Sequence, residues 1–467
     1  MGMFSLAGRA ARITTRVSGS TGWAVAIEPS DWTSGRDIAL QSCVRTPGTT
    51  ISVEISAGRI NDANNAVKAA ARYCPIDVEL NGELVERIDF LGSAEHATVF
   101  EGLRIGIFNG PDRWHYSPTI NFHGLTVLHK LPTVNEIGDP HKWSARIDII
   151  DCPALQLTLP ARKEVVASPF LAELDAAVEA AIYMAIAARG AHRLSFTDWC
   201  RAKALGIDLP PAQALLAPFI AETADPALCD DYNSPTTVIG DLVTIERYAP
   251  AEEQSLHRAL AVSGNEIGPR LARAESRLKG YDWYDALPAV ESLRFIVKQG
   301  ASIHADMLGG DLLNLADPDV DAIAAELTVI QDGLPQVFAL GTDMLLQPDD
   351  NYDLEGASIA VVKGLLSCAP ALSPAILADY LDKAYFCHSD DHDCDSFDTQ
   401  LRAWRDDSIR IAAVVMEGEA AADRLALELA FDRHLRWLVP KGHRLTLSYA
   451  GDALEIAIVA DGAAATA

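Results

Sequence analysis

Nothing in this 467-residue chain approaches the roughly 18 consecutive apolar residues that a membrane helix needs, and its first residues lack the charged-then-apolar layout of a secretion signal. Both absences point to a soluble, cytoplasmic protein. Cysteine is sparse and scattered: eight residues in a long chain without that signal argue for free thiols in a reducing compartment, not a disulfide scaffold. Basic residues are also scarce, 38 Lys and Arg against 65 Asp and Glu, net −27. Residues 1–170 carry 16 basic and 18 acidic side chains, net −2, which leaves 22 and 47, net −25, for residues 171–467. Nucleic-acid affinity comes from cations displacing counterions, so general binding to DNA or RNA is not expected, and a protein partner is. There is no Gly-x-x-x-x-Gly-Lys phosphate loop and no Asp-x-Gly-x-Gly turn.

What is present is ordinary globular composition, 49% hydrophobic and 22% charged. A single core stops growing at about 250–300 residues, so two or three domains are expected. Alternating runs at Arg12–Val17, Trp23–Glu28 and Thr50–Ser56 predict strands, and Ile60–Tyr73 a short helix. Asn81-Gly82 between two alternating runs is the strongest hairpin signal, because a tight primed turn needs positive φ at both positions. Further strands are predicted at Leu103–Phe108, Leu125–Lys130, Ala145–Ile150 and Leu155–Leu159. A long helix follows, with Ser168 as its cap, Pro169 as its first residue and Gly190 as its stop. Beyond Ala191 the segments read as mainly helical: Phe196–Leu205, Glu252–Val262, Val320–Ile330, Pro374–Phe386 and Thr399–Trp437. Ala450-Gly451-Asp452 joins a terminal hairpin. The class is therefore α+β, divided as 1–73, 74–190 and an acidic 191–467.

The opening "MGMFSLAGRAARITTRV", the strand "WAVAIEP" and the later "TPGTTISVEI" resemble, in order and spacing, the end of the ATP-binding domain of the GHKL superfamily, its heat-shock-chaperone branch above all. In that resemblance Gly2, Met3 and Phe4 form the glycine turn of the ATP lid, and Gly48-Thr49 is the pair that closes the nucleotide pocket. Glycines admit phosphate to backbone N–H groups, and a threonine hydroxyl reaches an adenine-side water network. A second match follows. Pro160-Ala161-Arg162-Lys163-Glu164-Val165 resembles the MutL-like transducer loop that sends a cation to the γ-phosphate, although Arg162 stands where that pattern has Lys. Arg162 and Lys163 are thus the candidate catalytic contacts, and two solvated charges near a helix start are the plainer alternative.

The resemblance covers residues 1–188 and implies ATP and Mg²⁺ in an intact protein. It also implies that Met1 falls inside the lid turn. The helix with the water-activating Glu and the Mg²⁺-holding Asn, and the adenine-reading Asp, are then missing, so this chain alone is expected to be deficient in hydrolysis; losing the base costs about 10²–10⁴ in rate. The implied function is the C-terminal part of an ATP-driven clamp of chaperone type. The alternatives are a non-enzymatic interaction scaffold of the same shape and one half of a split ATPase. Partners are a protein, the missing half, or a second copy, since such clamps usually dimerise. In "FCHSDDHDCDSFDTQ" a calcium loop fails at Ser396 and Arg402, and Cys387, His388, His392 and Cys394 lack the usual zinc spacing. No metal is assigned there, and Asn121 and His123 are read as turn residues first.

Overall fold

The computed structural model describes residues 6, 8–111, 118–158, 164–228, 240–264, 267–304, 318–347, 354, 358–362, 371–389, 396–451 and 453–460. It is an α+β protein in two compact units, Met1–Gln213 and Ala214–Ala467.

The first unit begins with an antiparallel sheet ordered β3-β2-β1-β4, made of β1 (Ala11–Arg16), β2 (Gly22–Ile27), β3 (Gln41–Cys43) and β4 (Gly48–Val53). A one-turn helix α1 (Asp31–Ser34) lies between β2 and β3, and α2 (Ile60–Ala71) follows β4. The short hairpin β5 (Glu79–Leu80) and β6 (Glu83–Leu84) turns at Asn81 and Gly82, both at positive φ, 54° and 87°. A second, mixed sheet is ordered β10-β9-β12-β8-β7, with β11 on the side of β12. Its strands are β7 (His96–Phe100), β8 (Leu103–Pro111), β9 (Ile120–Phe122), β10 (Leu125–Val127), β11 (Val134–Asn135) and β12 (His141–Ile149). Strict alternation along β12 buries Trp143, Ala145, Ile147 and Ile149 against Leu174, Val178, Ala181 and Ile182 of α3 (Phe170–Arg189). Each fully buried Leu, Ile or Val among them is worth about 1.5–3 kcal/mol of transfer free energy.

The long helix starts at Phe170 and not at Pro169, and the Ser168 side chain does not cap it. Its Gly190 stop takes the left-handed conformation, φ 78°, that spares a glycine the clash of a Cβ. Leu194, Ala202 on α4 (Phe196–Ala204) and Leu209 join the same core, so the first unit runs past the expected 190/191 boundary to Gln213.

The centre of the second unit is a sheet, β14-β13-β15-β18-β19 with β16 beside β15. It comprises β13 (Val243–Ile245), β14 (Leu271–Arg273), β15 (Ala289–Gln299), β16 (Ser302–His304), β18 (Ala322–Gln331) and β19 (Leu334–Thr342). The helix expected over Val320–Ile330 is wrong: that stretch is β17 (Asp319–Val320) and most of β18. Its buried residues Ile323, Ala325, Leu327 and Val329 recur every second position, and Asp332-Gly333 turns it into β19 with φ 51° and 75°. Helix α5 (Pro250–Ser263) packs Leu256 and Ala259 on this sheet, while α6 (Asp282–Asp285) is a single turn.

A small sheet β17-β21-β20, with β20 (Met344–Leu346) and β21 (Ile359–Val362), shares a core with α7 (Pro374–Tyr385) and α8 (Phe397–Glu417). The single helix expected over Thr399–Trp437 is broken at Gly418, whose φ of 90° and ψ of 168° no helix accommodates, so α9 (Glu419–Ala430) is separate. A π-helical turn, Phe431–Leu435, leads to the ribbon β22 (His443–Ala450) and β23 (Ala453–Ala460). Among the described residues no helix is long and apolar enough to cross a membrane.

Candidate functional site

The sequence-predicted residues Gly2, Met3, Phe4, Arg162 and Lys163 lie outside the described residues. The base of the Arg162 loop is described: Leu157 bridges Val165, and Thr158 N–H donates to the Glu164 carbonyl at 2.9 Å, just before α3 begins.

Gly48 and Thr49 open β4. Gly48 has φ 128°, a conformation that disfavours a side chain, and pairs with Arg16, while Thr49 pairs with Thr15. The register sorts the sheet into two faces, because successive side chains on a strand alternate. Ile13, Val25 and Ile51 share one face with Trp23, Thr15 and Thr49, and the two threonine hydroxyls meet there at 2.8 Å. That face is poorly covered: Trp23 is 46% and Ile51 57% exposed. The opposite face is polar and tied down. Arg45 donates to the Thr14 carbonyl and hydroxyl and, at 3.0 Å, to the Thr50 hydroxyl, while Arg16 donates to the Arg45 carbonyl at 2.6 Å. Both arginines are thus committed to holding β1, β4 and the approach to Gly48.

Two cavities of about 430 Å³ lie on the second sheet. Phe108, Ser144, His129, Lys130, Lys142 and Arg146 line one of them, with no carboxylate among its described lining residues. Arg146 stacks on Phe108 at 4.8 Å, and burial lowers its pKa. In the other, Arg104 joins Asp89 and Asp148, and buried Asn121 donates to Asp148 at 2.7 Å and to the Tyr73 carbonyl at 3.1 Å while accepting from Gly124 N–H at 2.8 Å. The Leu91 N–H, more than the Arg104 guanidinium, holds the Asp89 carboxyl below its usual value. Asn121 is a structural residue here, and His123, at φ 52°, sits with Gly124 in the β9–β10 turn. Elsewhere in the first unit, His192 is buried with both ring nitrogens engaged: Nδ1 accepts from Leu194 N–H at 3.2 Å, and Nε2 meets the Pro210 carbonyl at 2.8 Å. Only the neutral ring satisfies both, and burial lowers its pKa.

The second unit buries charge in pairs. Arg258 on α5 holds Asp343 through two bonds, 2.8 and 2.6 Å, and Arg273 grips Glu253, which also accepts from the Glu222 and Tyr248 N–H groups. Neither pair was visible to sequence reasoning, since the partners lie far apart in the chain. Of the cluster weighed for metal, His388 serves another purpose. Its Nδ1 lies 2.5 Å from Asp225 Oδ2, which also accepts from the His388 N–H. Burial alone would raise the Asp225 pKa, but these bonds and the Ala227 N–H hold it down. His392 and Cys394 lie outside the described residues, and among the described residues no three His, Cys, Asp or Glu gather as metal ligands. Compared with known proteins, the chain matches no family model and no curated protein.

Proposed function

We propose that residues 1–73 are the closing part of a nucleotide domain and residues 74–190 its transducer in a GHKL-type, ATP-driven clamp, and that the acidic remainder is the module this clamp repositions. One observation carries the reading. The first sheet keeps an apolar face partly open, and the Thr15–Thr49 hydroxyl pair sits on that same face, beside the glycine that resembles the pocket-closing one. A helical layer laid on Ile13, Trp23, Val25 and Ile51 would bury them and enclose the hydroxyls together.

In such an assembly Thr15 and Thr49 would bind the adenine side through water, and Arg162 or Lys163 would offer a cation to the terminal phosphate. ATP with Mg²⁺ would supply the binding energy that favours a closed state. The water-activating Glu and the metal-holding Asn would come from the added layer. Hydrolysis is therefore not expected of these residues by themselves.

Isothermal titration with a non-hydrolysable ATP analogue tests this. The purified chain alone should give no saturable heat, and addition of a polypeptide carrying the Glu/Asn helix and an Asp-x-Gly-x-Gly turn should restore it. Thr49→Val should weaken the restored affinity at least ~5-fold, the loss of one hydroxyl contact. No restoration rejects the clamp reading. Capture of the polypeptide without any nucleotide dependence favours the interaction scaffold instead.

A further inference from the structure

We propose that the outer edge of β23 pairs with the same edge of a second copy of this chain, joining two ribbons into one four-stranded antiparallel sheet. The inference does not depend on the nucleotide reading and uses neither the first sheet nor the Arg162 loop.

The β22–β23 ribbon is two-stranded, and an isolated pair of strands is marginal in water without a third strand or a covering layer. Its register places Leu445 opposite Ile458 and Leu447 opposite Ile456, so all four share one face. Helix α9 and the π-helical turn lie against the β22 half without sealing it, since Leu447 is itself 48% exposed. Leu427, Phe431, Leu435, Leu445 and Leu447 line a groove of about 490 Å³ there. On the β23 half, Ile456 is 61% and Ile458 46% exposed. Among the described residues no strand pairs with the outer edge of β23.

Natural sheets blunt open edges with Lys, Pro, charges or bulges. The sequence of β23, ALEIAIVA, has neither Lys nor Pro and a single charge, Glu455, whereas β22 carries His443 and Arg444 on the other edge. Charge also selects the occupant. Residues 214–467 hold 18 Lys and Arg against 42 Asp and Glu, yet residues 431–460 hold four against three. This near-neutral patch is where two strongly acidic copies can meet without repulsion, while a basic partner would gain more from the acidic surface elsewhere.

Self-pairing is also consistent in register. Antiparallel pairing about Ala457 sets Ile456 opposite Ile458 of the second copy and Glu455 opposite Val459, which keeps the apolar face continuous and the two Glu455 side chains apart. Such a contact is isologous and closes at two copies.

This 467-residue chain should sediment as a species of twice its 50.2 kDa. The double variant Ile456→Lys and Ile458→Lys puts charge on exposed positions, so it should keep the wild-type circular dichroism spectrum. Its dimer dissociation constant should rise at least ~100-fold, for loss of two buried side chains per copy. Ala457→Cys should cross-link to itself under mild oxidation much faster than Glu455→Cys, because only position 457 faces its own copy. A monomer that persists up to roughly 100 µM overturns the proposal. So does a dimer undiminished in the double Lys variant, or equal cross-linking at 455 and 457.

Discussion

Removing the Asp343 carboxylate should unfold the second unit far more readily than replacing the whole Arg258–Asp343 pair. The two side chains are only 2% and 7% exposed and share two charge-assisted hydrogen bonds, and they fasten α5 to the β19–β20 corner. Breaking one partner of a buried pair leaves a guanidinium without its counter-charge in a poorly solvated site, which costs about 3–5 kcal/mol. Asp343→Ala belongs at the upper end. Asp343→Asn, which still offers one oxygen, belongs nearer 3. At roughly 2–4 °C per kcal/mol for a unit of this size, melting should fall by about 6–20 °C. The double variant Arg258→Met with Asp343→Leu removes both charges at similar volume and should recover most of that loss. Thermal melts and urea titrations of the wild type, Arg258→Met, Asp343→Leu and their double variant complete a double-mutant cycle. A single substitution costing under ~1 kcal/mol would refute the argument, and so would a double variant as unstable as the sum of its singles.

Two further perturbations follow from the first unit. A Cβ at Gly102 would lie 1.8 Å from the Asp151 carbonyl oxygen at φ 79°, whereas one at Gly82, φ 87°, meets nothing within 4 Å. Gly102→Ala should therefore cost about 3 kcal/mol or more, and Gly82→Ala only the ~1–2 kcal/mol of left-handed strain, as read from denaturant midpoints; equal costs would remove close packing as the cause. Burial holds the His192 pKa below its ordinary value when folded, so the unfolded chain binds its proton first as pH falls below about 6.5. Stability of the first unit should drop through that window, by at most about 1.4 kcal/mol per pH unit, and His192→Gln should flatten the slope between pH 7.5 and 5.5. An unchanged slope in the variant would assign it to other groups.

Much of the local architecture is legible from alternation and turn chemistry. Asn81-Gly82 announces its hairpin, and the strands around Ile13, Val25 and Ile51 lie where period-two patterning puts them, with ends off by one to three residues. Asp332-Gly333 carries equally good turn chemistry, but the alanines and glutamate of "AIAAELTVI" have helix propensity and mask the strand before it. Pairing with β15 on one side and β19 on the other outweighs that local preference.

The candidate site is legible to a similar depth. Gly48-Thr49 stands out in the sequence, and the period-two rule alone puts Thr15 with Ile13 and Thr49 with Ile51. That the shared face stays partly open depends on what packs there, which no strand encodes. The buried pairs are less legible still. Arg258 and Asp343 are 85 residues apart, and nothing local marks either as a partner of the other.

The Asn121 carboxamide gives the first unit a mechanical property. It grips the Tyr73 carbonyl just beyond α2, the Gly124 amide in the β9–β10 turn and Asp148 on β12, and it is itself sealed from water. The peptide after α2 is thus a rigid coupling and not a swivel. A rotation of α2 reaches β12 through bonds of 3.1 and 2.7 Å, and the long helix packed on Trp143 and Ile147 must move with it or the carboxamide must let go.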